Sequence, residues 1–113
     1  MFFHRNVINP YSVTDKIAFR NVDDTLKLVV RADAASLVTG LKKVNERLSQ
    51  MTDETPEEER LSVALFFAET LFGTTQAVNL CRFYENDSLA IINVCGMYFR
   101  ERLSKKITKA QKK

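Results

Sequence analysis

The residues of this chain that could do chemistry are three acidic clusters, at residues 23–24, 53–54 and 57–59. Paired carboxylates act as general acid and base when burial or mutual repulsion separates their pKa values. Here the first cluster falls in a predicted turn and the second in a predicted loop. The third falls in the first turn of a predicted helix, where the helix dipole favours acidic side chains. We therefore predict that no carboxylate of this chain is catalytic.

One histidine and two cysteines complete the set of candidate nucleophiles and metal ligands. His4 stands alone, and Cys81 and Cys95 lie within apolar helical patterns and not in a CxxC arrangement. A metal site that is recognisable from spacing needs several histidines or thiolates close together, whereas a free cysteine is most often a buried core residue. The three glycines are far apart, so they form no phosphate-binding loop. We predict no metal, no cofactor, no enzymatic activity and two buried, reduced thiols.

The charge of the chain is unevenly distributed. Residues 100–113 contain seven basic side chains and one acidic side chain, whereas the other 99 residues contain ten basic and thirteen acidic ones. A basic helix end can bind phosphate or an acidic protein surface, but lysine and arginine also favour a helix C-terminus through the helix dipole. Both explanations stay open for the candidate nucleic-acid-binding residues, which are Arg100, Arg102, Lys105, Lys106 and Lys109.

The length and the hydropathy pattern set the broad class. A chain of 113 residues has the size of one domain. No apolar run reaches the roughly 18 residues that a membrane span needs, and the first residues lack the layout of a signal peptide. We expect a single cytoplasmic domain with no membrane contact.

The first third of the chain carries the strand patterns. Residues 16–20 and 25–31 alternate polar and apolar side chains, and the aspartates at 23–24 form a turn signal between them. A second turn signal, Asn9-Pro10, precedes this hairpin, and the segment before it is a candidate third strand. Residues 1–32 are therefore predicted to be rich in β-structure, with one apolar face of the hairpin against the helices.

The apolar period changes to three or four after Asp33, which is a predicted helix N-cap. Residues 55–58, with the sequence TPEE, predict a second helix start with a threonine capping box and a proline at the first helical position. The helix from there to residue 72 is apolar nearly all round, which is typical of a central helix or an interface. Gly73 is expected to end it.

The last predicted helix is capped by Asp87 and has one apolar stripe with steps of three or four residues. The members of this stripe are Leu89, Ile92, Gly96, Phe99, Leu103 and Ile107. Gly96 lies in the middle of the helix, where glycine is unfavourable unless another backbone packs closely, so we predict a helix crossing there. A helical body over residues 33–107 and a frayed tail over 108–113 complete the prediction. The fold class is α+β, an antiparallel hairpin followed by about four helices.

The helical half of the chain has more large aromatic side chains than a small core easily encloses. Two interpretations stay open: all of them are buried in one monomeric core, or some form an exposed group, which marks a partner surface. The candidate protein-binding residues are Phe66, Phe67, Phe72, Phe83 and Phe99.

The helical body also resembles a known family. The similarity rests on Leu71-Phe72-Gly73, Phe83-Tyr84-Glu85-Asn86-Asp87, Tyr98-Phe99 and the lysine-rich end from Lys105 to Lys113. These segments resemble small tail assembly chaperones of Gram-positive bacteriophages and prophages. The similarity is strongest over residues 60–113 and extends to the first half only in general layout.

This resemblance implies a non-catalytic protein of the bacterial host cytoplasm that binds the tape measure protein, keeps its hydrophobic helices from aggregating and delivers it to tail tube subunits. Homo-oligomers are compatible with it. Two alternatives stay open. One is a small nucleic-acid-binding protein that uses the basic C-terminal helix, although the acidic body disfavours nucleic acid. The other is a structural tail completion or connector subunit.

Overall fold

The computed structural model describes residues 12–111 as a two-stranded antiparallel hairpin followed by helices, which confirms the predicted α+β class. The elements are β1 (Ser12–Arg20), β2 (Thr25–Asp33), α1 (Ala34–Ser49), α2 (Glu57–Phe72), α3 (Thr74–Phe83), α4 (Ser88–Tyr98) and α5 (Ser104–Gln111). A π turn, Phe99–Leu103, joins α4 to α5, so that these two helices form one long rod and the hairpin is followed by four rods.

The hairpin is longer than its alternating pattern suggested, because pairing runs from Ser12 opposite Asp33 to Arg20 opposite Thr25. The Asn21 side chain closes the turn by accepting hydrogen bonds from the backbone N–H groups of the two aspartates at 23–24, at 3.0 and 2.8 Å. The third strand that was predicted before Asn9-Pro10 lies outside the described residues.

Helix α2 is the centre of the fold, as its all-round apolar character predicted. It packs against α1, α3, α4 and β2. Gly73 ends it with a φ of 81°, as expected. The predicted capping box is wrong: Thr55 uses its hydroxyl to accept a hydrogen bond from the Thr52 N–H at 2.8 Å, and Pro56 is the N-cap without a side-chain bond. The threonine therefore closes the preceding loop instead of capping the helix.

The close helix crossing lies at Gly40, not at Gly96 as predicted. A Cβ atom at Gly40 would be 2.6 Å from Cγ2 of Thr70, so α1 and α2 can approach each other only because residue 40 is glycine. Around Gly96 the nearest atom of the described residues to such a Cβ is Nη1 of Arg100, at 3.2 Å. No helix of the described chain packs closely on Gly96, and that face of α4 is open.

The π turn changes which residues of the long rod are buried. The Ser104 N–H bonds to the Phe99 carbonyl, five residues back, which adds one residue to a helical turn. The buried residues of the rod after its first residue, Ser88, are Ile91, Cys95, Tyr98, Leu103, Ile107 and Ala110, with a step of five across the π turn. The predicted stripe assumed steps of three or four throughout and therefore misplaced the α4 face: Leu89 is 66% exposed.

The predicted end of the helical body is also wrong. Helix α5 continues to Gln111, and Ala110 is buried together with Ile107. Because α5 packs against α1 and β1, the residues up to 111 that were expected to fray are part of the packed structure. Residues 112 and 113 lie outside the described range.

Candidate protein-binding groove

A groove of about 920 Å³ runs between α1 and the rod formed by α4, the π turn and α5. We call it the α1–α4 groove. Its apolar lining residues are Val38, Leu41, Val44, Leu48, Phe67, Ile92, Met97, Phe99 and Ile107. Polar side chains, among them Lys42, Asn45, Asn93 and Arg100, also line it. An apolar channel with polar residues beside it is the geometry that recognises an amphipathic helix.

The directions of three helices create this groove. Helix α1 runs antiparallel to α2, because Gly40 faces Thr70 while Arg47 lies near Ser62. Helix α4 starts beside the start of α2, where the Ser88 hydroxyl bonds to the Glu57 carboxylate at 3.2 Å. It ends beside the end of α2, where the Tyr98 and Phe72 rings stack with 5.8 Å between their centroids, so α4 and α2 are parallel. Helices α1 and α4 therefore lie antiparallel on the same central helix, and Phe67 of α2 lines the space between them.

The α4 wall of the groove has no charged side chain between Ser88 and Tyr98. One apolar stripe of this helix is buried in the core, and a second one, which includes Ile92 and Gly96, lines the groove. Met97 also lines it and is 48% exposed. An uncharged helix with two apolar stripes and one of them open indicates a surface that another chain covers.

The five predicted aromatic binding residues are distributed over different parts of the molecule. Phe67 and Phe99 line the groove. Phe72 is buried against the rings of Phe19 and Tyr98, so it is a core residue and not a contact surface.

The two remaining phenylalanines lie away from the groove. Phe66 packs under the Arg47 guanidinium, whose carbon is 4.9 Å from the ring centroid. Phe83 packs edge-on against Tyr84, with 5.0 Å between ring centroids. Phe67 is itself buried, at 4% exposed, so it can meet a partner only at the floor of the groove. A binding role stays a prediction for Phe67 and Phe99, whereas Phe66 and Phe83 pack against residues that do not line the groove.

The predicted basic residues divide into two sets. Arg102 and Lys106 face Asp15 of β1: Nη2 of Arg102 lies 2.8 Å from Oδ1 of Asp15, and Nζ of Lys106 lies 3.6 Å from the same oxygen. Arg100 lines the groove. Lys105 and Lys109 line a smaller depression, which shares Ser104 and Thr108 with the groove.

Asp15 is the centre of a polar cluster that the sequence analysis missed. Its side chain is buried, its Oδ2 accepts a hydrogen bond from the Tyr98 hydroxyl at 2.8 Å, and its Oδ1 accepts one from Arg102. Burial raises the pKa of Asp15, but the Tyr98 hydrogen bond and the charges of Arg102 and Lys106 lower it by more, so the pKa lies below its ordinary value of 3.8. The cluster fixes the hairpin to the last turn of α4 and to the π turn.

A signal for this cluster was present in the sequence. Asp15 lies on the same face of β1 as Val13, Ile17 and Phe19, because side chains two residues apart in a strand share a face. It therefore occupies an inward position of β1. The predicted strand began one residue after it. A carboxylate at an inward strand position requires a buried donor, and the basic residues of the last helix were the available partners.

The groove has no arrangement for nucleophilic catalysis among the described residues. The hydroxyls of Ser104 and Thr108 donate to the backbone carbonyls of Arg100 and Ser104, at 3.3 and 2.9 Å, within their own helix. Both thiols are buried, as predicted, and burial raises the pKa of Cys95 to about 12, which keeps it protonated. Between residues 12 and 111, no cluster of three or more His, Cys, Asp or Glu side chains could hold a metal ion.

Two further findings bear on function. Within the described part of the chain, every helix is too short or too polar to cross a membrane. No protein family, curated protein or solved structure matches this chain.

Proposed function

We propose that this chain is a non-catalytic protein-binding domain that holds an amphipathic helix of its partner in the α1–α4 groove. The observation that carries the proposal is the open apolar stripe of α4, which faces α1 across the groove with Phe67 between them. A core helix would bury this stripe. Here Gly96 has no side chain that would keep another backbone away, and a partner helix supplies the packing that the chain itself does not.

The dimensions of the groove match a short helix. The α1 wall runs from Val38 to Leu48, which corresponds to about 15 Å at 1.5 Å per residue. A partner helix of about ten residues covers that length and presents apolar anchors at positions i, i+3 or i+4 and i+7.

The partner that we propose is the tape measure protein of a bacteriophage or prophage tail. The support is the resemblance to tail assembly chaperones, together with a groove suited to the hydrophobic helices that such a chaperone protects from aggregation. In this role the protein acts in the host cytoplasm, passes the tape measure protein to tail tube subunits and catalyses no reaction.

Binding to a synthetic amphipathic peptide of about 18 residues, long enough for five helical turns, tests the groove directly. Gly96→Leu fills the groove from its α4 wall. The Cβ of this leucine would meet only the flexible end of Arg100 among the described atoms, so we expect the core to stay intact. We expect this variant to fold at least as stably as the parent, since leucine favours a helix over glycine by about 0.8 kcal/mol, and to lose peptide binding in fluorescence anisotropy.

A pair of polar substitutions on α4 provides the matched control. Met97→Gln and Leu89→Gln both replace an exposed apolar side chain of the same helix, but only residue 97 lines the groove. We expect weaker binding from the first and unchanged binding from the second. Equal affinities for the parent, Gly96→Leu and Met97→Gln contradict the proposed groove. Copurification with a tape measure protein from the same phage or prophage genome then tests the identity of the partner.

Nucleic-acid binding is the competing function. Its five predicted residues do not form one surface, because Arg102 and Lys106 are paired with Asp15 while Arg100, Lys105 and Lys109 lie toward the groove. Binding to duplex DNA that falls steeply with salt, with no binding of the peptide, favours this alternative.

A further inference from the structure

The cations beside the α1–α4 groove point to the charge of its occupant, and this step rests on the proposed function. Lys42 and Arg100 lie on opposite walls, and Lys105 and Lys109 lie beside the α5 end of the groove. Glu46 is the single acidic residue among the described groove-lining side chains. We infer that the partner helix is acidic, with carboxylates flanking its apolar face where it meets the π turn and α5.

The neutralised and the free cations lie on different faces of the same rod. Arg102 and Lys106 are directed toward Asp15 and the hairpin. Arg100, Lys105 and Lys109 form no ion pair with any residue in the range 12–111. Of the five basic residues between 100 and 109, the three that no ion pair neutralises therefore lie on the groove side of the rod.

The positions of these cations also give the groove a direction. Helix α1 runs antiparallel to α4, so Glu46, near the end of α1, lies beside the start of α4, while Lys105 and Lys109 lie at the opposite end. Arg100 extends over Gly96 in between, with its Nη1 at 3.2 Å from the position of a Cβ. Lys105 and Lys109 are four residues apart, one helical turn, so carboxylates spaced by three or four residues on the partner match them.

Two peptides of about 18 residues with the same leucine and alanine face distinguish this inference from its alternatives. One carries glutamates beside the apolar face and the other carries lysines. At low salt we expect the full chain to bind the acidic peptide about tenfold more tightly than the basic one. Several weak, exposed ion pairs together supply a difference of this size. The difference should shrink above about 0.1 M salt, where the screening length falls to about 10 Å.

Charge reversal locates the effect. The triple variant Arg100→Glu, Lys105→Glu, Lys109→Glu should lose this preference or invert it. The matched control, Lys27→Glu, Arg31→Glu, Arg82→Glu, makes the same change of net charge at exposed positions of β2 and α3 that do not line the groove. It should retain the preference for the acidic peptide.

The outcomes separate this inference from the proposed function. Equal binding of both peptides, unchanged by the groove triple variant, overturns the acidic partner and leaves the groove as a binding site. Failure of both peptides to bind overturns the groove as well. Binding to duplex DNA that the groove triple variant abolishes, without binding of the acidic peptide, overturns the inference in favour of a nucleic-acid ligand.

Discussion

Replacing Asp15 by asparagine should destabilise the protein by about 2 kcal/mol. Asparagine keeps the shape of the side chain but removes the negative charge of the carboxylate. That carboxylate accepts hydrogen bonds from the Tyr98 hydroxyl and from Arg102, each at 2.8 Å. Hydrogen bonds to a charged group contribute about 1.5–3 kcal/mol and neutral ones about 0.5–1.5 kcal/mol. The buried bond from Tyr98 therefore accounts for about 1–1.5 kcal/mol of the loss.

The two cations contribute the smaller part of this loss. The side chains of Arg102 and Lys106 are 46% and 44% exposed, so water screens their attraction to Asp15. Pairs of this kind are worth up to about 1 kcal/mol. For a domain of this size, a loss of 2 kcal/mol lowers the Tm by about 8 °C. Thermal and urea unfolding, followed by circular dichroism, measure both quantities.

The pH dependence gives an independent check of the same interaction. The folded pKa of Asp15 lies below 3.8, so the folded state binds this proton less readily than the unfolded state does. The stabilisation from Asp15 is therefore fully present above about pH 4–5 and is lost as the pH falls through the lowered pKa. The difference in unfolding free energy between the parent and Asp15→Asn should be constant from pH 5 to 8 and shrink below about pH 4.

Two variants complete the test. Asp23→Asn changes an exposed aspartate in the hairpin turn and should shift the stability by less than about 0.5 kcal/mol. Tyr98→Phe should be destabilising on its own but should cost less in the Asp15→Asn background, because Asp15→Asn has already weakened the bond that Tyr98→Phe removes. Additive effects of the two substitutions, or an Asp15→Asn variant as stable as Asp23→Asn, refute this account of the cluster.

Two further predictions concern the helices. Gly96→Ala should raise the free energy of unfolding by up to about 1 kcal/mol through helix propensity. Gly40→Ala should lower it by about 1 kcal/mol or more, because the new methyl group would meet Thr70 at 2.6 Å. Urea denaturation of both variants measures these effects, and equal effects contradict the crossing at residue 40. Removal of residues 104–113 should cost at least about 2 kcal/mol, since it removes the buried Ile107 and the α5 contacts with α1 and β1; a truncated chain with an unchanged urea midpoint would show that α5 is dispensable for folding.

Local patterns in the sequence determined the class of the fold. The change from a period of two to a period of three or four at Asp33 separates the hairpin from the helices, because strands and helices repeat their faces at those intervals. The Asp33 side chain caps α1 through the Ser36 N–H at 3.1 Å, and Asp87 caps α4 through the Ala90 N–H at 3.2 Å. Gly73 ends α2. Each of these features depends on neighbours within a few residues along the chain.

The tertiary structure alone decided which face of the last rod is buried and where two helices cross. The π turn adds one residue between Tyr98 and Leu103. A stripe read back from the buried Leu103 at constant period therefore follows Phe99, Gly96 and Ile92, which line the groove, instead of the core residues of α4. Gly40 and Gly96 look alike in sequence, and only the position of Thr70 distinguishes them. Asp15 finds its donors 83 and 87 residues away. These features depend on contacts between residues that are distant in sequence, which no local period encodes, and they decide where the groove lies and which cations face it.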